Sequence, residues 1–381
     1  MLALVFTLIL RVHAGESINA ALDSARSVFA ERGERTTILV EPGTYQEELT
    51  IDVPGLRLKN TSRKEPVLIT WYYGHGYQYK SMGDKVNYGG SRTRKWNASV
   101  LVTAPDFYAE NITFENSFNL YVSEKEAADS LVDISQSDIP WTEKERPKKI
   151  MPVRPKETGS TEVQKKAYRE RAAAISFTET AKNAHLKNCR AVGRQDVLYG
   201  AQGASVYWQG GVLQGAVDFI FGAMTLAVDR ATIVANINGE KGDKCYISAG
   251  RSGSNEKGEM SDTTSRGMLF YKCHIRLATE KELVIEKNAL RKEQVWLARP
   301  WRYWGETVWA YTTWDEGILN PEAWHTGLTK GKECPNSYEY KSQDGSKKRP
   351  AWVTVLDKPQ LPDGTKLKPK AWLRKPLNAK R

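Results

Sequence analysis

Cysteine and histidine are scarce in this chain and badly spaced for metal work. Its 381 residues hold four cysteines (Cys189, Cys245, Cys273, Cys334) and five histidines, with no CxxC, HxH or HExxH among them. That pattern offers no structural zinc site and implies no cofactor. Buried free thiols are the expected state, with one disulfide the alternative for an exported protein. No apolar run reaches the eighteen or so residues of a membrane span. A Gly-x-Ser-x-Gly elbow is missing, which leaves a serine esterase unsupported, and so is a Walker A loop. Charge away from the C-terminus is also in short supply. The net charge is +11, but residues 341–381 hold twelve Lys/Arg against three Asp, so nearly all of it lies there. A near-neutral body gives no ground for a nucleic-acid partner.

What is present points to a repeat. Forty per cent apolar residues and twelve tryptophans suffice for a sizeable core and for aromatic stacking surfaces. Between about Asn97 and His274, short apolar-alternating runs recur, each capped by a small or polar residue. Examples are Leu186-Lys187-Asn188-Cys189, Tyr207-Trp208-Gln209-Gly210 and Ala227-Val228-Asp229-Arg230. Aligning Cys189, Gly210, Arg230 and Cys273 gives steps of 21, 20 and 43 residues, the last read as two periods. A fixed period with no helical pattern between the units predicts an all-β fold, a right-handed parallel β-helix. A β-sandwich would place Asn-Gly turns between its strands, and only Asn238-Gly239 fits.

The ends and the interruption of the repeat complete the organisation. Residues 17–30 read as a short amphipathic helix capped by Ser17, placed to cover the open N-terminal end of the solenoid. Residues 1–14 are either a trimmed signal peptide, ending at Val12-His13-Ala14 but without a basic start, or the first buried strand. Residues 118–170 form a charged insertion expected on the binding face. The domain reading is a catalytic solenoid over 1–340 and a basic tail over 341–381.

Two segments set an acidic residue among apolar and aromatic neighbours: Gly193-Arg194-Gln195-Asp196-Val197-Leu198-Tyr199 and Val217-Asp218-Phe219-Ile220-Phe221-Gly222. The two Asp are 22 residues apart, about one coil, which predicts adjacent rungs about 5 Å apart. Carboxylates that close do not both ionise easily, and the outcome is an acid beside a base or a nucleophile. Trp296-Leu297-Ala298-Arg299-Pro300-Trp301 offers a cation to keep one of them charged. The bland alternative is a buried Asp–Arg brace with no chemistry.

These segments resemble the signature motifs of pectin methylesterases, through Gln195-Asp196-Val197-Leu198-Tyr199, Asp218-Phe219-Ile220-Phe221-Gly222 and Leu297-Ala298-Arg299-Pro300-Trp301. Gly43-Thr44-Tyr45-Gln46-Glu47 and Asn111-Ile112-Thr113-Phe114-Glu115-Asn116 match earlier motifs in the family's order. The resemblance implies a carboxylic ester hydrolase that removes methyl esters from pectin and releases methanol. It implies Asp218 as nucleophile, Asp196 as general acid and then base, Arg299 holding Asp218 ionised, and Gln195 donating to the oxyanion. Trp301 would stack on a sugar ring, with Tyr199, Phe221 and Trp304 lining the groove. Arg171, in Arg171-Ala172-Ala173-Ala174-Ile175, stands where the family often has a Gln that supports the oxyanion. Arg171 either donates hydrogen bonds in its place or engages a substrate carboxylate. The implied partner is homogalacturonan, met by a monomer that is secreted or periplasmic. The rival readings are an esterase or thioesterase of the same fold on another ester, and a non-catalytic polysaccharide-binding solenoid.

Overall fold

Strands in this chain pair with the strand one coil away, not with the next in sequence. The computed structural model describes residues 7–75, 77–83, 97–131, 154–164, 170–237, 243–253, 259, 266–283, 293–326, 329, 333–343 and 349–374. Among them are sheets of eleven, eight and seven strands. Every strand pair that builds these sheets is parallel. One coil contributes a strand to each sheet. Leu198–Gly200 enters the seven-stranded sheet, Ser205–Gln209 the eleven-stranded and Val212–Gly215 the eight-stranded; Val217–Gly222, Thr225–Asp229 and Thr232–Ala235 repeat the sequence one rung on. Leu198 faces Ile220, Trp208 faces Val228 and Leu213 faces Ile233. This is the expected parallel β-helix.

Its interior is filled by columns of like residues. Leu186, Trp208, Val228, Phe270 and Trp309 occupy successive rungs of one column. All five are fully buried, and the Phe270 and Trp309 rings stack at 3.9 Å. No unit closes its own apolar face, so stacking along the axis supplies the burial.

The structure corrects the spacing read from the sequence in two ways. The 43-residue step from Arg230 to Cys273 is one coil, not two, because Thr225–Asp229 pairs directly with Met268–Tyr271. Extra length in the connections after Ala235 and Gly250 stretches that coil without adding a rung. The equivalent turn positions are Asn188, Gly210, Arg230 and Lys272, all at positive φ. The column starts at Asn111 and continues through Tyr311 and Lys341. Each of these turn residues from Asn111 to Tyr311 donates its backbone N–H to the carbonyl that ends the next rung's strand, as Gly210 does to Asp229 and Arg230 to Tyr271. The coil also runs well beyond 97–274, from Thr7–Val12 to Thr354–Val355.

The N-terminal helix spans Ile18–Arg32, with the Ser17 side chain accepting from the Ala20 N–H and Gly33 closing it at φ 65°. Ile18, Leu22 and Ala25 are buried against Ile38, Val40, Leu49 and Ile51, which closes that end of the core. Thr7–Val12 forms the edge strand of the eleven-stranded sheet; residues 1–6 lie outside the described residues, as does Asn238-Gly239. The four cysteines are all buried and free.

The insertion is anchored where it is described. Glu126 and Arg154 form a buried ion pair at 2.8 Å, and Tyr79 donates to Glu126 at 2.7 Å. Asn119 clasps Glu170 through both its amide oxygen and nitrogen. Residues 132–153 and 165–169 lie outside the described residues. His75 is 3% exposed, because Gly74 lets the loop lie flat on Phe118. Beyond residue 340, expected as a basic tail, Thr354–Val355 pairs with Ser337–Tyr340, and the helix Pro369–Arg374 sets Trp372 against the outer face of the eleven-stranded sheet.

Candidate active site

The seven-stranded sheet carries the two carboxylates. Leu198 and Ile220 are register partners, so Asp196 and Asp218, each two residues earlier, occupy equivalent places on adjacent rungs. Strand spacing alone sets their backbones about 4.8 Å apart. The Asp196 N–H donates to the Val217 carbonyl at 3.1 Å and stitches the two rungs together just before the second carboxylate. Both residues are at positive φ, 60° for Asp196 and 49° for Asp218, where Asp is one of the few side chains tolerated. Asp218 also falls at a register shift between Val217 and Ile220, a bulge of the kind that re-aims a side chain. Unusual backbone at two equivalent acidic positions marks a site under constraint.

Arg299 closes the pair from a third rung. It follows the strand Val295–Ala298, and its backbone N–H donates to the Ser248 carbonyl. Its guanidinium forks onto Asp218, with Nε donating to Oδ1 at 3.1 Å and Nη2 to Oδ2. It also lies 4.0 Å above the Tyr246 ring, so a rigid aromatic surface holds the fork flat. Tyr246 packs in turn on Trp296 and His325.

Burial raises both carboxyls above the ordinary carboxylate range, but not equally. For Asp218 the desolvation is opposed by Arg299, through its charge and its hydrogen bonds. For Asp196 desolvation is reinforced by the Asp218 charge, and it is pushed much higher. The direction is therefore a protonated Asp196 beside an Asp218 pulled towards the anion.

The remaining residues singled out in the sequence are distributed around this pair. Gln195 bridges Arg171 on one rung and Val217 on the other, so Arg171, Gln195 and the dyad share one ladder. Arg171 is half-exposed, and its charge bears on Asp196; its Nε reaches Glu170 at 3.4 Å. Tyr199 and Phe221 are register partners with ring centroids 4.9 Å apart, and Trp301 packs beside Phe221 at 6.1 Å. These three form an aromatic wall beside the carboxylates. Trp304 ends the same turn, but it packs on Tyr303 and is not in that aromatic cluster. Sequence reasoning missed Tyr246, and also Arg251, whose guanidinium lies 5.0 Å from the Trp301 ring. Tyr246 was detectable in principle, since its strand Cys245–Gly250 is the next rung after Asp218. The long intervening connection hid that register.

Fold and site together define a parallel β-helix protein with a guanidinium-braced carboxylate pair beside an aromatic wall. The family model for pectinesterase matches residues 160–348, the span that holds every one of these residues. Over that span, just under half of its length, the chain is similar to the pectinesterase family. Pectinesterase 31 of Arabidopsis thaliana is 28% identical over 244 residues, covering 64% of this chain and 53% of the relative. Probable pectinesterase A of Aspergillus niger is 28% identical over 173 residues, covering 45% of each. The chain thus spans about half the length of these curated relatives. Solved structures agree on the fold across nearly the whole chain. The pectin methylesterase from carrot superposes with a TM-score of 0.58 at 18% identity, covering 92% of this chain and 88% of that one. A pectin methylesterase in complex with a hexasaccharide gives 0.56 at 21% identity, covering 91% and 92%.

Proposed function

We propose that this protein is a pectin methylesterase, a carboxylic ester hydrolase that removes methyl esters from homogalacturonan. The observation that carries the reading is the unequal pair: Asp196 and Asp218 on adjacent rungs, with only Asp218 held by Arg299. The ionised Asp218 attacks the ester carbonyl, and a C–O bond forms as the carbonyl becomes an oxyanion. Gln195 donates to that oxyanion. The oxyanion collapses, the bond to the methoxy oxygen breaks, and Asp196 gives its proton to the leaving group, which departs as methanol. The products at that stage are an acyl-enzyme anhydride at Asp218 and an ionised Asp196. Asp196 then takes a proton from water, the hydroxide attacks the anhydride, and the galacturonate acid and Asp218 carboxylate are released. Asp196 ends protonated, as it began.

The aromatic wall of Tyr199, Phe221 and Trp301 offers flat apolar faces for sugar rings. Arg171, one rung before Gln195, is placed to meet a neighbouring carboxylate of the polymer or to assist at the oxyanion. Homogalacturonan is an extracellular polymer, so the protein acts outside the cytoplasm, as a monomer. No helix among the described residues is long and apolar enough to cross a membrane.

The direct test is methanol release from methylated pectin, compared with hydrolysis of short-chain esters. Asp218→Ala should abolish methanol release while the protein melts normally. Asp196→Ala should lose about 10²–10⁴-fold, the usual worth of a positioned acid–base group. Wild-type turnover by the Asp218 variant would remove the nucleophile assignment, and a preference for short-chain esters would move the protein to a different substrate class.

A further inference from the structure

The outer face of the eleven-stranded sheet is covered over only part of its length. From the rung of Ala227 to that of Tyr340, Leu361, Leu367 and Trp372 bury it. On the earlier rungs the outward positions are only partly buried and carry an aligned aromatic column. Arg57, Tyr108, His185 and Tyr207 are successive register partners. Tyr108 meets His185 edge-on at 5.2 Å, and His185 stacks on Tyr207 at 4.8 Å. Where the cover stops there is a cavity of about 290 Å³, near the small end of ligand pockets. Its floor is His185, Ser205 and Tyr207, and its rim is Lys370, Leu373 and Arg374.

The charges around it are unbalanced. Glu110 is held by Lys187 at 2.8 Å and faces Lys59 at 3.6 Å, and Asp229 accepts from the Tyr207 hydroxyl and pairs with Arg230. Arg57, Lys370 and Arg374 come in addition, with exposed side chains. An aromatic floor under cationic rim groups suits a ring-bearing polyanion. It argues against the chain's own final residues Lys375–Arg381, which carry three further cations and no acid.

We propose that this cavity is an anchoring site for a de-esterified, carboxylate-bearing stretch of polygalacturonate. His185 and Tyr207 present their rings to the sugar, and Lys370 and Arg374 take its carboxylates. The site lies on a different sheet from the dyad, so it binds the product of the proposed reaction without occupying the place where it is made. A chain already demethylated then holds the enzyme close to esters still to be cleaved, raising their effective concentration. The inference rests on the substrate reading given above.

The test measures binding to immobilised, fully demethylated polygalacturonate at low salt, separately from turnover on a short methylated oligomer. The double variant Lys370→Glu/Arg374→Glu should bind at least fivefold more weakly, with turnover on the oligomer unchanged. Lys366→Glu/Lys368→Glu carries the same charge change on the same segment, away from the cavity, and should bind like wild type. Equal losses in the two double variants would overturn the site and leave only diffuse attraction. A chain ending at Arg374 should not gain affinity; a severalfold gain would show that the final residues fill the cavity, and would also overturn it. Because binding is read without catalysis, a chain that binds as described yet releases no methanol would sink the substrate reaction and spare the site.

Discussion

Asp196 is costly where it sits. Burial and the Asp218 charge both favour its neutral form, so the folded protein holds this proton more tightly than the unfolded chain does. A carboxyl raised in the folded state favours folding fully at low pH. That contribution is lost as pH rises from the unfolded value, about 3.9, towards the folded one. Asn has the neutral shape without the proton and tolerates the same positive φ. Asp196→Asn should therefore melt like wild type below about pH 4 and progressively higher than wild type above it. Thermal melts across pH check this, and parallel curves at every pH would mean that Asp196 is not held protonated. Activity in the wild type should follow a bell. It rises as Asp218 ionises and falls as Asp196 loses its proton, and both limbs belong to the pair. Both carboxylates and Arg299 stood out in the sequence, because charge inside runs such as Val-Asp-Phe-Ile-Phe needs a reason, whereas Gln195 was singled out only through the family resemblance. Tyr246 escaped notice, because no motif marks it and the long connection before its strand hid the register that sets it beneath Arg299.

At the scale of the element, the aromatic wall depends on how its strands end. Gly200, Gly222 and Gly250 are register partners on three rungs, where the seven-stranded sheet hands the chain on. Gly222 is at φ 115°, and a Cβ there would lie 2.1 Å from the Gly200 carbonyl oxygen. Backbone cannot yield as a flexible side chain does, so Gly222→Ala combines a forbidden φ with a clash. A loss on the order of 1–3 kcal/mol is expected from the backbone strain alone, and Phe221, the preceding residue, should shift out of line with Tyr199. Denaturant unfolding measures the first effect and KM on methylated oligomers the second; a variant as stable as wild type would show that the rungs separate easily. Alternation within these strands was readable from the order of residues, and so was the 22-residue step between the two Asp. The number of rungs was not. A connection of any length is compatible with the same register, so the interval from Arg230 to Cys273 looked like two coils when it is one.

Across the whole molecule, the basic C-terminal region is held by a buried network that its composition conceals. Arg266 is fully buried; its Nε and Nη2 donate to Glu306 at 3.0 and 2.9 Å, and its Nη1 donates to Thr365 and pairs with Asp363. Its guanidinium lies 4.8 Å from the Trp372 ring, whose Nε1 donates to the Gly267 carbonyl. A surplus of Lys and Pro reads as an extended, solvated tail, because the anchors are single residues spread over some hundred positions of sequence. Two roles for this region can then be separated without altering its charge. Trp372→Ala removes a wholly buried side chain, leaves Arg266 without its aromatic cover and changes no charge. As a brace, the residue should cost about 3–5 kcal/mol on truncation to Ala. Adhesion to polygalacturonate at low salt, screened over a Debye length of about 8–10 Å near physiological ionic strength, should stay near the wild-type level at temperatures where the variant is folded. Urea melts and binding on the same samples decide the matter. An unchanged midpoint would mean that the helix Pro369–Arg374 adds nothing to the solenoid's stability and that its cations alone account for its place on the sheet.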